Sequence, residues 1–191
     1  MRGILKDGRK TLRQLSSLLS NNECIVFKDG WPRIVSVRQV RGTGWMYYVD
    51  TAHTSGTPLN VNNESKQITI NGLGAAIQKK YRPCGVQELW NNNKITPENI
   101  GDSYGVRLDF TALAGSNSDQ FDIFLDIGFE VLRKTFEINK NTGQTESFSF
   151  DTDVFTLSTF VSNGGTLSIE TSNDIDFYDF TLLIKRDHKE A

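Results

Sequence analysis

The sequence has few of the residues from which metal and acid–base sites are usually built. Its 191 residues include only two histidines and two cysteines. His53 lies in a predicted loop and His188 three residues from the C-terminus, and neither has the spacing of a metal-binding motif. A site made from both histidines with Cys24 and Cys84 would need four distant segments to converge. We therefore expect no metal site, and we interpret His53 as a surface or hydrogen-bonded structural residue.

Segments that would direct the chain to a membrane are also missing. No stretch approaches the roughly 20 apolar residues of a spanning helix, and the N-terminus has no apolar core of a signal peptide. Cys24 and Cys84 allow one disulfide but no disulfide framework. We favour two free thiols in a reducing cytoplasm. We expect a protein that is made in the cytoplasm and binds no membrane.

Catalytic motifs are absent as well. There is no GxSxG and no cysteine beside a histidine, and GLGAA at 72–76 lacks the spacing and βαβ context of a phosphate loop. Grouped carboxylates are the remaining candidates for acid–base chemistry or calcium binding. An acidic solvent-facing surface explains each group more simply, so we expect no enzyme and no cofactor. The groups are Asp122 with Asp126, Asp151 with Asp153, and Asp174 with Asp176 and Asp179.

The composition is that of a turn-rich β protein. Asn, Ser, Thr and Gly number 15, 15, 17 and 16, a third of the chain, and these residues favour turns and polar strand faces. Eleven of the 12 phenylalanines lie at or after Phe110. The hydrophobic core should therefore include the C-terminal half.

Alternating apolar and polar residues predict a series of strands from Gly44 onwards. In residues 104–110 and 121–127 apolar side chains occupy every second position, the pattern of half-buried strands. Residues 162–165, SNGG, predict a hairpin turn, and residues 86–90 suit one helical turn or a short strand. Because no long helical pattern intervenes, we predict an all-β antiparallel sandwich of jelly-roll type. The other predicted strands are 45–49, 59–62, 67–70, 131–138, 147–150, 154–161, 166–169 and 175–184.

Charge divides the chain into a basic front and an acidic back. Residues 1–41 carry nine basic and three acidic side chains, net +6, whereas residues 101–191 carry seven and sixteen, net −9. We therefore predict a basic N-terminal arm, residues 1–43, and a jelly-roll domain, residues 44–191. The arm should hold extended runs at 24–27 and 34–40 and a short helix at 10–19, in which helical spacing aligns Leu12, Leu15, Leu18 and Leu19.

The arm contains one local cluster of basic residues, Arg2, Lys6, Arg9, Lys10 and Arg13. A solvated surface and nucleic-acid binding are the alternatives. No aromatic RNA-binding signature accompanies the cluster, and the C-terminal half is acidic. Since the leucines give the arm's helix an apolar face to bury, we favour docking on an acidic protein surface and expect no nucleic-acid partner.

Short motifs are spread over residues 45–188. They are YVDTAHTSGTPL at 48–59, INGLG at 70–74, GV at 85–86, LW at 89–90, ITP at 95–97, GDSY at 101–104, RLDF at 107–110, FLDIG at 124–128 and TFVSNGGT at 159–166. Together these motifs resemble the jelly-roll virion proteins of tailed bacteriophages, which are trimeric head decoration (cement), knob or fibre proteins. Residues 1–43 lie outside the resemblance, and their role is inferred from charge and pattern alone.

The resemblance implies a non-enzymatic virion protein that forms a homotrimer, and we place it on the capsid exterior as a decoration or cement protein. Phe124 and Tyr178 are candidate trimer contacts, because they lie on strand faces where a monomer prefers polar groups; a core role is the alternative. The partner would be the major capsid protein or another virion protein. With the arm as anchor, the capsid-binding residues would be Arg2, Lys6, Arg9, Lys10, Leu12, Arg13 and Leu15.

Two other functions stay open from the sequence. The protein could be a trimeric tail or fibre-tip protein that binds a host receptor or glycan. Trp31, Trp45 and Trp90 would then be candidate sugar-stacking residues, although tryptophan is more often a core residue. The remaining alternative is a polysaccharide-cleaving enzyme on a sandwich fold, for which Asp122 and Asp126 are the candidate acid–base pair.

Overall fold

The computed structural model describes residues 42–71, 81–83, 85–116 and 119–188, and of residues 23–28 and 31–36 the backbone. The chain divides into two units, Met1–Gly42 and Thr43–Ala191. In the first unit β1 (Glu23–Lys28) pairs antiparallel with β2 (Trp31–Ser36). β2 thus begins earlier than the predicted run at 34–40, of which residues 37–40 lie outside the described residues. The helix predicted at 10–19 and the thiols of Cys24 and Cys84 lie outside the described residues.

The second unit is an antiparallel β-sandwich of jelly-roll type, as predicted. One sheet has the strand order β10-β9-β12-β5 and the other β11-β8-β13-β3, with β4 also paired to β13. The chain passes repeatedly from one sheet to the other, as a jelly roll requires. Its elements are β3 (Gly44–Val49), β4 (Leu59–Asn62), β5 (Ser65–Gln67), β6 (Trp90–Asn91), β7 (Lys94–Ile95), β8 (Ser103–Leu113), β9 (Asp119–Asp126), β10 (Val131–Ile138), β11 (Thr145–Phe155), α1 (Ser158–Asn163), β12 (Thr166–Thr171) and β13 (Asp174–His188).

The core lies between the two sheets and is rich in phenylalanine. Along β8 every second residue from Tyr104 to Ala112 is buried, which confirms the predicted alternation. Phe110 is surrounded by five other phenylalanine rings at centroid distances of 5.7–6.2 Å, in stacked and edge-on arrangements. These rings come from both sheets, so they join them. They are Phe121, Phe136, Phe148, Phe177 and Phe180.

A bulge in β13 separates two parts of the strand, which pair along the same edge with two different strands, β4 and β3. Its register against β8 shifts between Tyr178 and Thr181, and Asp179 has a positive φ of 55°. β4 pairs with the part of β13 before the bulge and β3 with the part after it. The apolar spacing changes accordingly: Ile175 and Phe177 are buried, and then Phe180. The three-residue step from 177 to 180 is the sequence mark of the bulge.

The strand predicted at 154–161 and the hairpin predicted at 162–165 are wrong. β11 ends at Phe155, and residues 158–163 form α1. The reason is that β12 pairs with β9 and β5 in the opposite sheet. The connection must therefore cross between sheets instead of folding back, and it does so with Phe160 fully buried. Gly164, at φ 72° and ψ 179°, ends the helix.

Two short predictions also need correction. β5 covers 65–67, whereas we predicted a strand at 67–70, although the Ile68 amide still donates to the Leu167 carbonyl at 2.9 Å. In 86–90 neither a helical turn nor a full strand forms, because only Trp90 enters the two-residue β6. The burial of Val86 and Leu89 shows that this segment is held by its side chains.

Candidate functional site

The two ends of the sandwich differ in how the strands are connected. At one end α1 links the last residue of β11 to the first of β12, and β8 and β10 begin there. We call this the α1 end. The opposite end, which we call the hairpin end, carries the turns 63–64, 139–144 and 172–173 and the residues 114–116 that follow β8. The candidate site lies at the α1 end and on the sheet face beside it.

Large apolar side chains are exposed at the α1 end. Among the described residues, six large apolar side chains are more than a third exposed, and five of them belong to this end. Folding does not require such exposure, and clustered exposed apolar residues mark interaction surfaces. The five are Ile100 (57% exposed), Phe129 (44%), Val131 (56%), Phe155 (72%) and Leu157 (47%).

A buried arginine fixes the loop that presents Ile100. The Arg186 side chain is fully buried, and its Nη1 lies 2.8 Å from Glu98 Oε2 and 3.5 Å from Asp102 Oδ2. The same loop is tied to the end of β11, because the Gly101 amide donates to the Thr156 carbonyl at 2.8 Å and the Thr156 amide to the Asp102 carbonyl at 2.9 Å. The exposed Ile100 is thus carried by a loop with a rigid, charged base.

Tyr104 completes this buried cluster. Its hydroxyl donates to Asp102 Oδ2 at 3.2 Å and accepts from the Glu98 amide at 3.3 Å. Burial raises the pKa of Tyr104 to about 12. The phenol is therefore neutral at physiological pH, and it acts as a structural donor and not as an acid–base group.

The outer face of the five-stranded sheet carries a groove near the same end. Its floor is Gly105, and strand pairing places Asp153 on one side of Gly105 and Lys185 on the other. A Cβ atom at 105 would lie 3.2 Å from Asp187 Oδ2 and 3.3 Å from Asp153 Oδ1, so both carboxylates lean over the glycine. The groove encloses about 480 Å³.

The groove continues into an aromatic part. Strand pairing places Trp45 opposite Lys185 and Tyr47 opposite Leu183, and these four residues line a further volume of about 340 Å³. The Trp45 ring stacks on Tyr81 at a centroid distance of 5.0 Å and an interplanar angle of 16°. The sheet face therefore combines an aromatic wall with a charged floor.

The two cationic side chains of the groove, Lys185 and Arg107, each form an ion pair with a carboxylate. Lys185 Nζ pairs with Asp187 Oδ1, and this hydrogen bond raises the pKa of Lys185. Arg107 Nε lies 2.9 Å from Asp109 Oδ1, which raises the pKa of Arg107 in the same way. Both cations remain charged at physiological pH, and the groove offers donors and acceptors side by side.

The proposed acid–base pair, Asp122 and Asp126, does not form a shared site. Asp122 Oδ2 lies 2.6 Å from Arg133 Nη2, and its other oxygen accepts from Thr135 Oγ1 at 2.5 Å. The bond with Arg133 lowers the pKa of Asp122. Asp126 Oδ1 instead accepts from the Gly128 amide at 2.7 Å. A carboxylate held by an arginine is a poor general acid, so the structure favours the structural interpretation.

Two further acidic candidates, Asp174 and Asp176, and the candidate His53 are also engaged in structural contacts. Asn60 Nδ2 donates to Asp174 Oδ1 at 2.5 Å and to Asp176 Oδ1 at 2.9 Å. His53 Nδ1 lies 2.6 Å from the buried Asp50 Oδ2, which confirms the hydrogen-bonded role expected for this histidine. In the described part of the chain no three His, Cys, Asp or Glu side chains are grouped to hold a metal ion, and no described helix is long and apolar enough to cross a membrane.

Asp50 illustrates why these carboxylates are structural. Burial would raise its pKa, but hydrogen bonds from the amides of His53, Asn71 and Ala52 outweigh that effect and lower it. The carboxylate stays ionised and ties the β3–β4 loop to Asn71. The loop also reaches the bulge of β13, since the Asp179 amide donates to the His53 carbonyl at 3.0 Å.

The predicted binding residues have different outcomes. The capsid-binding set Arg2, Lys6, Arg9, Lys10, Leu12, Arg13 and Leu15 lies outside the described residues. Phe124 and Tyr178 are half-buried on the outer faces of different sheets, so the structure does not bring them together. The Arg133 guanidinium lies 5.7 Å from the Phe124 ring centre. The role of both aromatics as trimer contacts stays a prediction.

The tryptophans separate into core and surface residues. Trp90 is 6% exposed and its Nε1 donates to the Ile70 carbonyl at 3.1 Å, so it is a core residue, as expected for most tryptophans, and the sugar-stacking alternative does not apply to it. Trp45 lies on the groove described above. The side chain of Trp31 lies outside the described residues.

Sequence reasoning missed the buried arginine and the exposed apolar end. A signal for Arg186 was present: after the bulge the buried positions are 180, 182 and 184, so 186 continues the inward row. Phe155 could also have been found, because it continues the outward row of Asp151 and Asp153 on β11. Exposure of Ile100, Phe129 and Leu157 has no comparable signal, because they lie in loops without a regular period.

Comparisons with known proteins identify no family. No family model matches the sequence, and no curated protein matches it. Among solved structures, the globular domain of a zebrafish complement 1qA protein matches 74% of this chain and 94% of its own at 7% identity and a TM-score of 0.46. The Eiger TNF of S. frugiperda matches 79% and 97% at 11% identity and 0.48. The PRD1 vertex protein P5 matches 90% and 84% at 11% identity and 0.46. At these scores, the fold assignment depends on the strand order of the chain itself.

Proposed function

We propose that the chain is a non-enzymatic structural protein of a bacteriophage virion, a trimeric decoration or cement protein held on the exterior of the head. The observation that carries the proposal is the α1 end, where five large apolar side chains face solvent in an otherwise well-packed sandwich. A protein that docks by one end needs such a surface. The motif resemblance to phage virion proteins supplies the virion context.

The charges of the chain support the same role. The +6 arm is suited to an acidic shell surface, while the −9 C-terminal half keeps the projecting domains apart and soluble. A homotrimer would add the interactions of three arms and three α1 ends, so weak individual contacts would act together. Four of the grouped carboxylates, Asp122, Asp126, Asp174 and Asp176, are held by structural partners, which agrees with a non-enzymatic role.

The test is attachment to purified phage heads that lack the protein. Wild-type protein should bind in many copies per head, and light scattering of the free protein should give three times 21.5 kDa. Removing residues 1–20 should abolish attachment and leave the trimer folded. The double change Phe155→Ser and Leu157→Ser should weaken attachment at least about tenfold, the equivalent of roughly 1.4 kcal/mol.

Lys140→Ser, at the hairpin end, is the matched control and should bind as the wild type does. If the wild type, the deletion variant, the double variant and the control all attach equally well, neither the arm nor the α1 end binds the head. Protein found only in a few copies on tails would replace the decoration role with that of a tail or fibre-tip protein. Polysaccharide cleavage lost on replacing Asp122 and Asp126 would overturn the non-enzymatic interpretation.

A further inference from the structure

The groove on the outer face of the five-stranded sheet is not explained by a docking role for the α1 end. It is built on four adjacent strands, so its side chains are held by backbone pairing and not by a mobile loop. Sites on rigid elements hold their geometry more precisely than sites on loops. Its two parts, of about 480 and 340 Å³, share Leu183 and Lys185 and so form one continuous depression.

The glycine at 105 gives the groove its depth. Gly105 is the third residue of β8, paired on both sides, where a glycine weakens a strand and a β-branched residue would be favoured. Its φ is not in the left-handed region, so the backbone does not require glycine there. With glycine at 105, no side chain fills the floor of the groove, and the carboxylates of Asp153 and Asp187 can lie close to the backbone there. Close approach of a ligand is one of the reasons for which strands contain a glycine.

The aromatic wall is the second feature that points to a ligand. Trp45 and Tyr47 project from the same face of β3 and are half-buried. Tyr81 braces the Trp45 ring from one side. An aromatic wall beside a few fixed polar groups is the usual construction of a small-molecule site.

The charge of the groove selects the class of ligand. Lys185 pairs with Asp187 and Arg107 with Asp109, so donors and acceptors alternate over the floor. A polycation would meet Lys185 and Arg107, and a polyanion would meet the three carboxylates of Asp151, Asp153 and Asp187. A neutral ligand with many hydroxyl groups can use both kinds of partner. A pyranose ring has this chemistry: one face is made of C–H groups and the rim carries hydroxyls.

We propose that this groove binds a saccharide, with Trp45 and Tyr47 against the C–H face of a sugar ring and Asp153, Asp187 and Lys185 on its hydroxyls. This inference is independent of the virion role, because it rests on the groove alone. Of the tryptophans that were candidate sugar-stacking residues, Trp45 is the one that contacts the saccharide, whereas Trp90 is a core residue. Within a virion, the site would attach the particle to polysaccharide on a cell surface.

The experiment uses the full chain on a printed array of bacterial and eukaryotic glycans, followed by calorimetric titration with the best-bound oligosaccharide. Gly105→Val fills the floor with a residue that strands favour, and it should raise the Kd by about tenfold or more. Trp45→Ala should do the same by removing the wall. The matched control is Thr111→Val, on the same strand and the same face but outside the groove; its Kd should equal that of the wild type.

A second titration with hexalysine distinguishes a saccharide from a basic protein segment. Saccharide binding that Gly105→Val weakens and Thr111→Val leaves unchanged supports the proposal. No binding to any array glycan overturns it, and so does equal saccharide affinity of all variants. Binding of hexalysine without any glycan would assign the groove to a basic peptide and overturn it as well.

Discussion

The α1 end and the hairpin end of the sandwich are formed by the same long strands, but they differ in the side chains that they expose. At the α1 end Ile100, Phe129, Val131, Phe155 and Leu157 are 44–72% exposed. At the hairpin end the polar groups of the turns satisfy one another: Asp119 accepts from the Ser116 amide at 2.7 Å and from Asn173 Nδ2 at 2.9 Å. The polar groups of the hairpin end are paired with one another, whereas the α1 end exposes five large apolar side chains.

The largest loss of stability should come from replacing Arg186, which anchors a loop of the α1 end through a buried ion pair. Arg186→Met leaves Asp102 buried without its cation, and removing one partner of a buried pair costs about 3–5 kcal/mol of unfolding free energy. Arg133→Met is the control, because its pair with Asp122 is solvent-exposed and such pairs contribute roughly 0–1 kcal/mol. Urea denaturation of both variants measures the contrast. Equal losses would mean that the α1 end is not anchored by a buried charge.

Two glycines provide the next comparison. Gly164 has φ 72° and ψ 179°, a region that only glycine occupies readily, and a Cβ atom there would lie 2.8 Å from the Ile95 carbonyl oxygen. Gly164→Ala should therefore cost about 3 kcal/mol, the sum of backbone strain and overpacking. Gly143, at the hairpin end, has φ 78° and open space around its Cβ position.

Gly143→Ala should cost only the left-handed backbone penalty, roughly 1–2 kcal/mol. Thermal and urea unfolding of the two variants measure the difference between them. A larger loss at Gly143 than at Gly164 would contradict the tight packing of α1 against the Ile95 strand.

At the hairpin end, stability should depend on pH through Asp119. Burial would raise the pKa of Asp119, but hydrogen bonds from Ser116, Asn173 and Gly115 outweigh it and hold the pKa below its ordinary value of 3.8. The stability that this carboxylate contributes is present above pH 4 and is lost as the pH falls through the folded-state pKa. Asp119→Asn should thus cost about 1–3 kcal/mol at pH 7 and progressively less below pH 4.

Urea unfolding at a series of pH values measures this dependence. Ser116→Ala is the intermediate control, since it removes one hydroxyl donor and keeps the carboxylate. An Asp119→Asn variant whose loss is the same at pH 3 and pH 7 would show that the charge of Asp119 does not stabilise this end.

The sequence predicted the fold class because the long strands are half-buried. β8 and β9 follow the period of two, and the bounds of β8, β9 and β10 agree with the prediction to within three residues. The sequence failed at α1, where SNGG has the composition of a hairpin turn. Local chemistry there is the same for a turn that folds back and for a helix end that crosses between sheets. Only the pairing of β12 with β9, a contact distant in sequence, decides between them.

The site was less predictable than the fold. Trp45 was a candidate from its residue type, but Gly105, Asp153 and Lys185 come from three strands that are separated by many residues. Only their register brings them side by side. Without knowledge of the strand order, a glycine in β8 and a lysine in β13 carry no joint signal. The bulge in β13 adds to this difficulty, because it moves every later residue of the strand to the other face.

The smallest effect on stability should come from replacing the exposed apolar residues of the α1 end. Phe155 is 72% exposed and Val131 56%, so replacing each by Ser removes little buried area. Substitutions of this kind change the unfolding free energy by only about 0.5 kcal/mol or less. Urea denaturation of Phe155→Ser and Val131→Ser measures it. A loss above roughly 1 kcal/mol would place these side chains in the core and remove the α1 end as a docking surface. An unchanged stability would mean that folding does not explain their apolar character, and it would support the proposed contact with a partner.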